Sequence, residues 1–332
     1  MENDSSKALY RQFCDNNDSL HIFMQPWFLD IASENAWDVC LEFNESGDII
    51  GILTYCFKEN TFIKRITMAY MCGYSGIWLN YDADWKAYQR LSFEKNTLKK
   101  LIGQLPHVFY FFQCYPIEFQ NWLPFQWQGY QQSPNMAYVL EGLKDSDTIW
   151  TDFKPSVRNK IRKAERTIKV EISKDFDVFY GVYKQIYARL GQNNRSNEAV
   201  LRNFHQAIQK RKCGKLFVAS DSEGNRHAVL YVIWDKKSAY YWAAGTDTAH
   251  RKSGAMSLLM WEMFKDMAQY VDNFQALGSQ DEHLESFMSG LGMAQKTYYK
   301  IFKYKNRSVE LAHLAYKSLR KGLMRHHEDL LP

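Results

Sequence analysis

The stretch that most constrains this chain is AYYWAAGTDTAHRKSGAMSLLMWEMFKDMAQYVDNFQALGS, residues 239–279, which reads as strand, loop, helix and strand. Residues 239–244 form a short apolar and aromatic run bounded by turn signals, the pattern of a strand covered on both faces. In the following segment Met256, Leu259, Met260, Met263, Phe264 and Met267 recur at spacings of three and four, so one helical face is apolar while Glu262, Lys265 and Asp266 fall opposite. A second apolar piece, 274–277, ends in Gly278 and Ser279. Strand, crossover helix and strand in that order predict parallel, right-handed pairing. The loop 246–254 is basic and contains glycine, and it enters a helix N-terminus, where unpaired backbone N–H groups and the helix dipole favour a phosphate.

At 332 residues the chain exceeds one typical domain, and its 46% apolar content supports two cores. The net charge of +5 is mild, so local clusters of cations matter more than the total. The six cysteines are widely spaced and form no Cys-x-x-Cys pair, which suits reduced core residues and predicts neither disulfides nor a metal site. The opening MENDSSKALYRQFCDNN lacks the basic and apolar regions of a secretory signal, and no apolar run reaches membrane-spanning length; a cytoplasmic protein is expected.

Along the chain, residues 26–30 open a helix, 38–43 and 49–57 read as a hairpin, 61–71 as a third strand and 72–76 as a glycine-bearing loop. A helix over 85–105, a strand over 108–114, an irregular aromatic segment and a strand over 135–140 complete the first half. The second half repeats the order. A basic helix is expected over 152–169, helices over 176–190 and 197–212, a hairpin from 215–220 and 228–234, then the central unit, a helix over 281–290 and a strand over 297–304.

Four stretches, FMQPWFLDIA (23–32), NWLPFQWQGY (121–130), SVRNKIRKAER (156–166) and the unit ending FQALGS (274–279), carry a resemblance in their order and spacing. The second half resembles the GNAT acyltransferase fold, and the whole resembles the FemAB-like (Fem-type) peptidyltransferase and acetyltransferase group. The resemblance implies an α/β (α+β) protein of two tandem GNAT-like domains, 1–145 and 146–305, each a mixed, mostly antiparallel sheet flanked by helices, with a basic amphipathic C-terminal helix over 306–332. It implies transfer of an acyl or aminoacyl group to an amino group of a cell-envelope, peptidoglycan or polysaccharide precursor. Arg251 and Gly254 match the GNAT phosphate-loop pattern, whereas Met256 stands at its final small position. Acyl-coenzyme A and aminoacyl-tRNA both remain open as donors. Gln275 stands where Fem-like sequences tend to have Asp.

Amine attack on an activated acyl carbon requires a proton acceptor, a way to protonate the leaving group and donors for the oxyanion. The candidate catalytic residues are Tyr241, Asp247, Ser279 and Glu282; Asp247 as a turn residue, Ser279 with Glu282 as a helix cap, and the tyrosine as core are the structural alternatives. Gly245, Thr246, Arg251, Lys252, Ser253 and Gly254 are the candidate donor contacts. Arg158, Arg162, Lys163, Trp242 and His283 are the candidate substrate contacts, with Arg158, Arg162 and Arg166 aligned at spacing four to clamp phosphates of an acceptor or of a tRNA. Expected partners are a phosphorylated or lipid-linked precursor, tRNA, and a membrane surface touched through the C-terminal helix without a transmembrane segment. The alternative from another class is a catalytically inactive GNAT-fold module that binds RNA or an anionic partner through its basic helix.

Overall fold

The computed structural model describes residues 2–59, 63–189, 197–277 and 282–315. Its first half runs α1 (Glu2–Asn16), a 3-10 turn (Ile22–Met24), α2 (Pro26–Ser33), β1 (Trp37–Phe43), β2 (Ile49–Glu59), β3 (Lys64–Thr67), β4 (Gly76–Leu79), α3 (Ala87–Gly103), β5 (Tyr110–Cys114), α4 (Leu123–Gln126) and β6 (Gln131–Glu141). The second half runs α5 (Ser146–Asp152), α6 (Pro155–Ala164), β7 (Ile168–Ser173), α7 (Phe176–Arg189), α8 (Glu198–Arg211), β8 (Gly214–Asp221), β9 (Arg226–Trp234), β10 (Ala239–Thr246), a 3-10 turn (Thr248–His250), α9 (Ala255–Met267), β11 (Asn273–Ala276), α10 (Glu282–Gly290) and β12 (Ala294–Tyr304). Each half is a mixed, mostly antiparallel sheet flanked by helices.

One sheet runs through both halves in the order β1-β2-β3-β5-β12-β6-β11-β10-β9-β8-β7, with β4 paired to β2. The halves interleave at its centre. β12, from the end of the chain, pairs antiparallel with β5 and β6, and β6 in turn pairs with β11. Side chains add to that join: Ile22 N donates to Asp235 Oδ2 (3.0 Å), Tyr74 Oη to Gln275 Oε1 (3.1 Å) and Trp242 Nε1 to the Met71 carbonyl (3.1 Å). Gln275, buried on β11, thus ties Tyr74 of the first half to Ser238, to which its own Nε2 donates.

The central unit forms as its pattern predicts. β10 and β11 pair in parallel with α9 between them in sequence, and Leu259, Met260, Met263, Phe264 and Met267 of α9 are buried. Such a stripe buries enough apolar surface to fix the helix on the sheet, since each large side chain contributes roughly 1.5–3 kcal/mol.

The expected single helix over 152–169 is a correction. Phe153 is extended, Pro155 starts the helix, and only Pro155–Ala164 of the run is helical (α6), while Ile168–Ser173 leaves it to become edge strand β7. Arg166 lies in the turn after α6, so it does not continue the Arg158 and Arg162 line. The N-terminal helix α1 and the short strand β4 are further elements that the sequence pattern did not announce. Of the C-terminal segment, residues 307–315 are helical and His313 packs edge-on against Tyr110 and Tyr304; residues 316–332 lie outside the described residues. Among the described residues no helix is long and apolar enough to cross a membrane, and no group of three or more His, Cys, Asp and Glu could hold a metal ion.

Candidate functional site

A cavity of about 570 Å³ opens where β10 outruns its partner. The parallel pair spans only Ala239–Tyr241 against Phe274–Ala276, while β10 continues to Thr246. Among the described residues, the second part of β10 therefore has no partner on the β11 side. Tyr241, Ala244, Gly245 and Thr246 of β10 line one wall, Gly254, Ala255, Met256 and Ser257 at the start of α9 a second, and His283, Leu284 and Phe287 of α10 a third.

A β-bulge decides which β10 side chains reach this space. The register against β9 shifts between Tyr241 and Ala243, so Trp242 is the extra residue. Trp242 and Ala243 both join the core on the other side of the sheet from Tyr241 and Ala244. Trp242 is buried against Phe204 and Tyr231, with its indole N–H given to Met71. Its expected role as a substrate contact is thereby corrected: it is a packing residue between the halves.

The turn into α9 is built by Gly254. It caps α9 in the left-handed region at φ +83°, and a Cβ there would come within 2.9 Å of Lys160 Cγ and 3.1 Å of the Lys160 carbonyl oxygen. Only glycine takes this turn and admits α6 so close. Having no side chain, Gly254 cannot cap α9; Ser253 Oγ accepts the Ala255 N–H at 3.3 Å. Arg251 and Lys160 bring two cations to the cavity, and among the described residues no carboxylate lines it. Lys160 escaped the sequence reading, which followed the spacing-four line of arginines. The usable signal was the other line, Val157, Lys160, Ile161 and Ala164 at spacings of three and four, the face α6 turns to α9.

The remaining expected residues divide clearly. Tyr241, Gly245, Thr246, Arg251, Gly254 and His283 line the cavity. Lys252 is exposed in the turn and does not line it. Asp247 caps the 3-10 turn, its Oδ1 accepting the Ala249 N–H at 2.8 Å, which is the structural alternative for this residue. Glu282 is exposed in the first turn of α10, outside the lining. Ser279 lies outside the described residues. Arg158 donates to the carbonyls of Trp150 (3.2 Å) and Thr151 (2.5 Å), closing the end of α5. The Arg162 guanidinium sits 5.5 Å from the centre of the Trp150 ring, and Lys163 points to solvent. None of the three lines the cavity: Arg158 is engaged by the end of α5, while Arg162 and Lys163 are exposed on α6. Burial pushes the Tyr241 phenol well above its ordinary range.

Residues 152–283 match the family model described as acetyltransferase (GNAT) domain. No curated protein matches the chain in sequence. Among solved structures, FemX is similar at 12% identity over 84% of this chain and 91% of that one, with a TM-score of 0.61. A tandem GNAT protein from the clavulanic acid biosynthesis pathway, without AcCoA, is similar at 13% identity over 80% and 82%, with a TM-score of 0.50. L-PGS from Bacillus licheniformis is similar at 12% identity over 88% and 91%, with a TM-score of 0.51. At these identities the likeness is one of fold. Residues 152–283 thus match an acetyltransferase (GNAT) domain, and the whole chain shares its fold with FemX and with a tandem GNAT protein.

Proposed function

We propose that the protein is an N-acyltransferase whose donor is an acyl thioester of coenzyme A, bound in the cavity between β10, α9 and α10. One observation carries this reading: a helix N-terminus whose glycine cap has no side chain, two cations and an open strand edge meet around one cavity of about 570 Å³. The donor fits that set. Gly254, Arg251 and Lys160 would hold its diphosphate, and the β10 edge would hold its extended arm; the bound thioester supplies the activated acyl carbon. The acceptor is an amine of an envelope or polysaccharide precursor, as the FemAB likeness implies.

The amine nitrogen forms a bond to the acyl carbon as the carbon–sulfur bond breaks. Tyr241, kept protonated by burial, gives its proton to the departing sulfur. His283, the imidazole lining the cavity, takes the proton lost by the amine. Asp247 and Glu282, committed to a turn and to solvent, take no part in this scheme.

Calorimetry with coenzyme A and with aminoacyl-tRNA tests the assignment. Saturable binding of coenzyme A that weakens roughly 10- to 100-fold in Arg251→Ala, with an unchanged melting temperature, is expected from loss of a charge-assisted contact. Binding of aminoacyl-tRNA alone, or coenzyme A binding indifferent to both Arg251→Ala and Lys160→Ala, removes the donor assignment.

A further inference from the structure

A second cavity, of about 520 Å³, lies in the first half between the end of α3, the start of β5 and the end of β12. It shares no residue with the donor cavity, and the acyl-transfer reading does not use it. Its floor is apolar, with Ile102 and Phe111 both buried. Its charged side chains are two lysines. Lys303 Nζ donates to the Gln128 carbonyl at 2.7 Å and lies 4.6 Å from the centre of the Tyr130 ring, while Lys305 Nζ lies 4.4 Å from that of Phe109. His107 is exposed at the same rim, and no carboxylate is among the lining residues. Glu310, on the helix that follows, acts through its charge on Tyr304 and does not line the space.

Two ammonium groups laid over aromatic faces at the mouth of an apolar pocket, with no opposing carboxylate in its wall, select a ligand with two parts. An uncharged apolar molecule would leave the lysine charges without an anion, and a small hydrophilic anion would leave the floor bare. The geometry points to a binding site for an amphiphilic anion, a phosphate or carboxylate head on an aliphatic body, with the head on Lys303 and Lys305 and the body on Ile102, Val108 and Phe111. The site is independent of the donor assignment. Both lysines come from the end of the chain, Lys303 on β12 and Lys305 just after it, while the floor comes from α3 and β5, so the ligand also bridges the join between the halves.

Calorimetry with decyl phosphate below its micelle concentration, against decanol as the uncharged control, tests the site. Decyl phosphate is expected to bind to saturation and to lose roughly tenfold or more in affinity in Lys303→Gln and in Lys305→Glu, with decanol binding little changed. Val108→Trp, which fills the floor, is expected to abolish both; if that variant fails to fold, Lys305→Glu on the exposed rim still decides the matter. Arg251→Ala is expected to leave decyl phosphate binding intact. Co-sedimentation with phosphatidylcholine vesicles, with and without phosphatidic acid, separates the sources. Capture by the anionic vesicles that is lost in Lys305→Glu assigns a membrane lipid, and binding of decyl phosphate without capture assigns a soluble amphiphile. No binding of decyl phosphate, affinity untouched by both lysine substitutions, or loss on Arg251→Ala overturns the site.

Discussion

The two halves set the same strand, loop, helix and strand side by side and finish it in opposite ways. In the second, β10 and β11 diverge around a cavity of about 570 Å³. In the first, β3 and β5 pair in parallel in the same manner, but beside the end of β3 only a void of about 10 Å³ remains. The segment after β3 fills it: Ser75 N donates to the Cys114 carbonyl at 2.6 Å, Met68 Sδ lies 3.2 Å from Cys114 N, and Tyr74 is buried. The helix that follows differs as sharply. Before α9 stand Arg251, Lys252 and Gly254; before α3 stand Asp82 and Asp84, with no glycine after Gly76. A phosphate would meet carboxylates there, and the helix is closed by its own Gln89, whose Oε1 accepts the Lys86 N–H at 3.1 Å. One fold thus leaves a crevice in one copy and a filled space in the other, through the loop and the helix start that follows it.

The comparison breaks first at Tyr241, whose phenol lines the open crevice. Tyr241→Phe is expected to lower kcat roughly 10²- to 10⁴-fold, the range for loss of a positioned proton donor, with coenzyme A affinity preserved. Because burial raises this phenol above the usual value near about 10, it stays protonated through the neutral range. A fall in rate between about pH 8 and 10 that survives in Tyr241→Phe therefore belongs to another group. An unchanged kcat in Tyr241→Phe would remove it from the chemistry. Next comes Gly254→Val. A branched residue at φ +83° costs about 1–3 kcal/mol in strain, and its Cβ would push on Lys160 as well. A lower melting temperature and loss of coenzyme A binding are expected together; full stability with intact binding would mean that the turn is not the cradle.

Much of this was legible in the sequence where one pattern determined one structure. The α9 stripe, the two hairpins and the parallel pair follow from period and order, and the GNAT likeness follows from the same stretches. The side to which each residue turns was less accessible. A single inserted residue at Trp242 reverses the alternation of β10, and no composition signal marks a bulge whose cause is cross-strand register. The arginines of α6 carry the right charge for phosphate, but Trp150 and the end of α5, which depend on where the helix breaks, engage Arg158 and Arg162. Lys160 faces the site because Gly254 lets the two helices touch, a contact between residues far apart in sequence. β7 was hidden for a related reason: a basic run reads as helix until Pro155 and the pairing of Ile168 with Asp221 are both known.

The smallest expected effect lies at the closed copy, and it tests whether α3 is merely a scaffold. Gln89→Ala removes the acceptor for the Lys86 N–H, a helix-capping contact whose loss costs about 1 kcal/mol. Thermal unfolding should show a modest drop, while coenzyme A affinity and turnover stay at the parent values, because the crevice that α3 would serve is already filled by Ser75, Met68 and Tyr74. The result discriminates because the open copy behaves in the reverse order: Arg251→Ala should cost binding and no stability. If Gln89→Ala instead weakened coenzyme A binding with little change in melting temperature, the α3 terminus would be a ligand site as well, and the division between an open and a closed copy would fail.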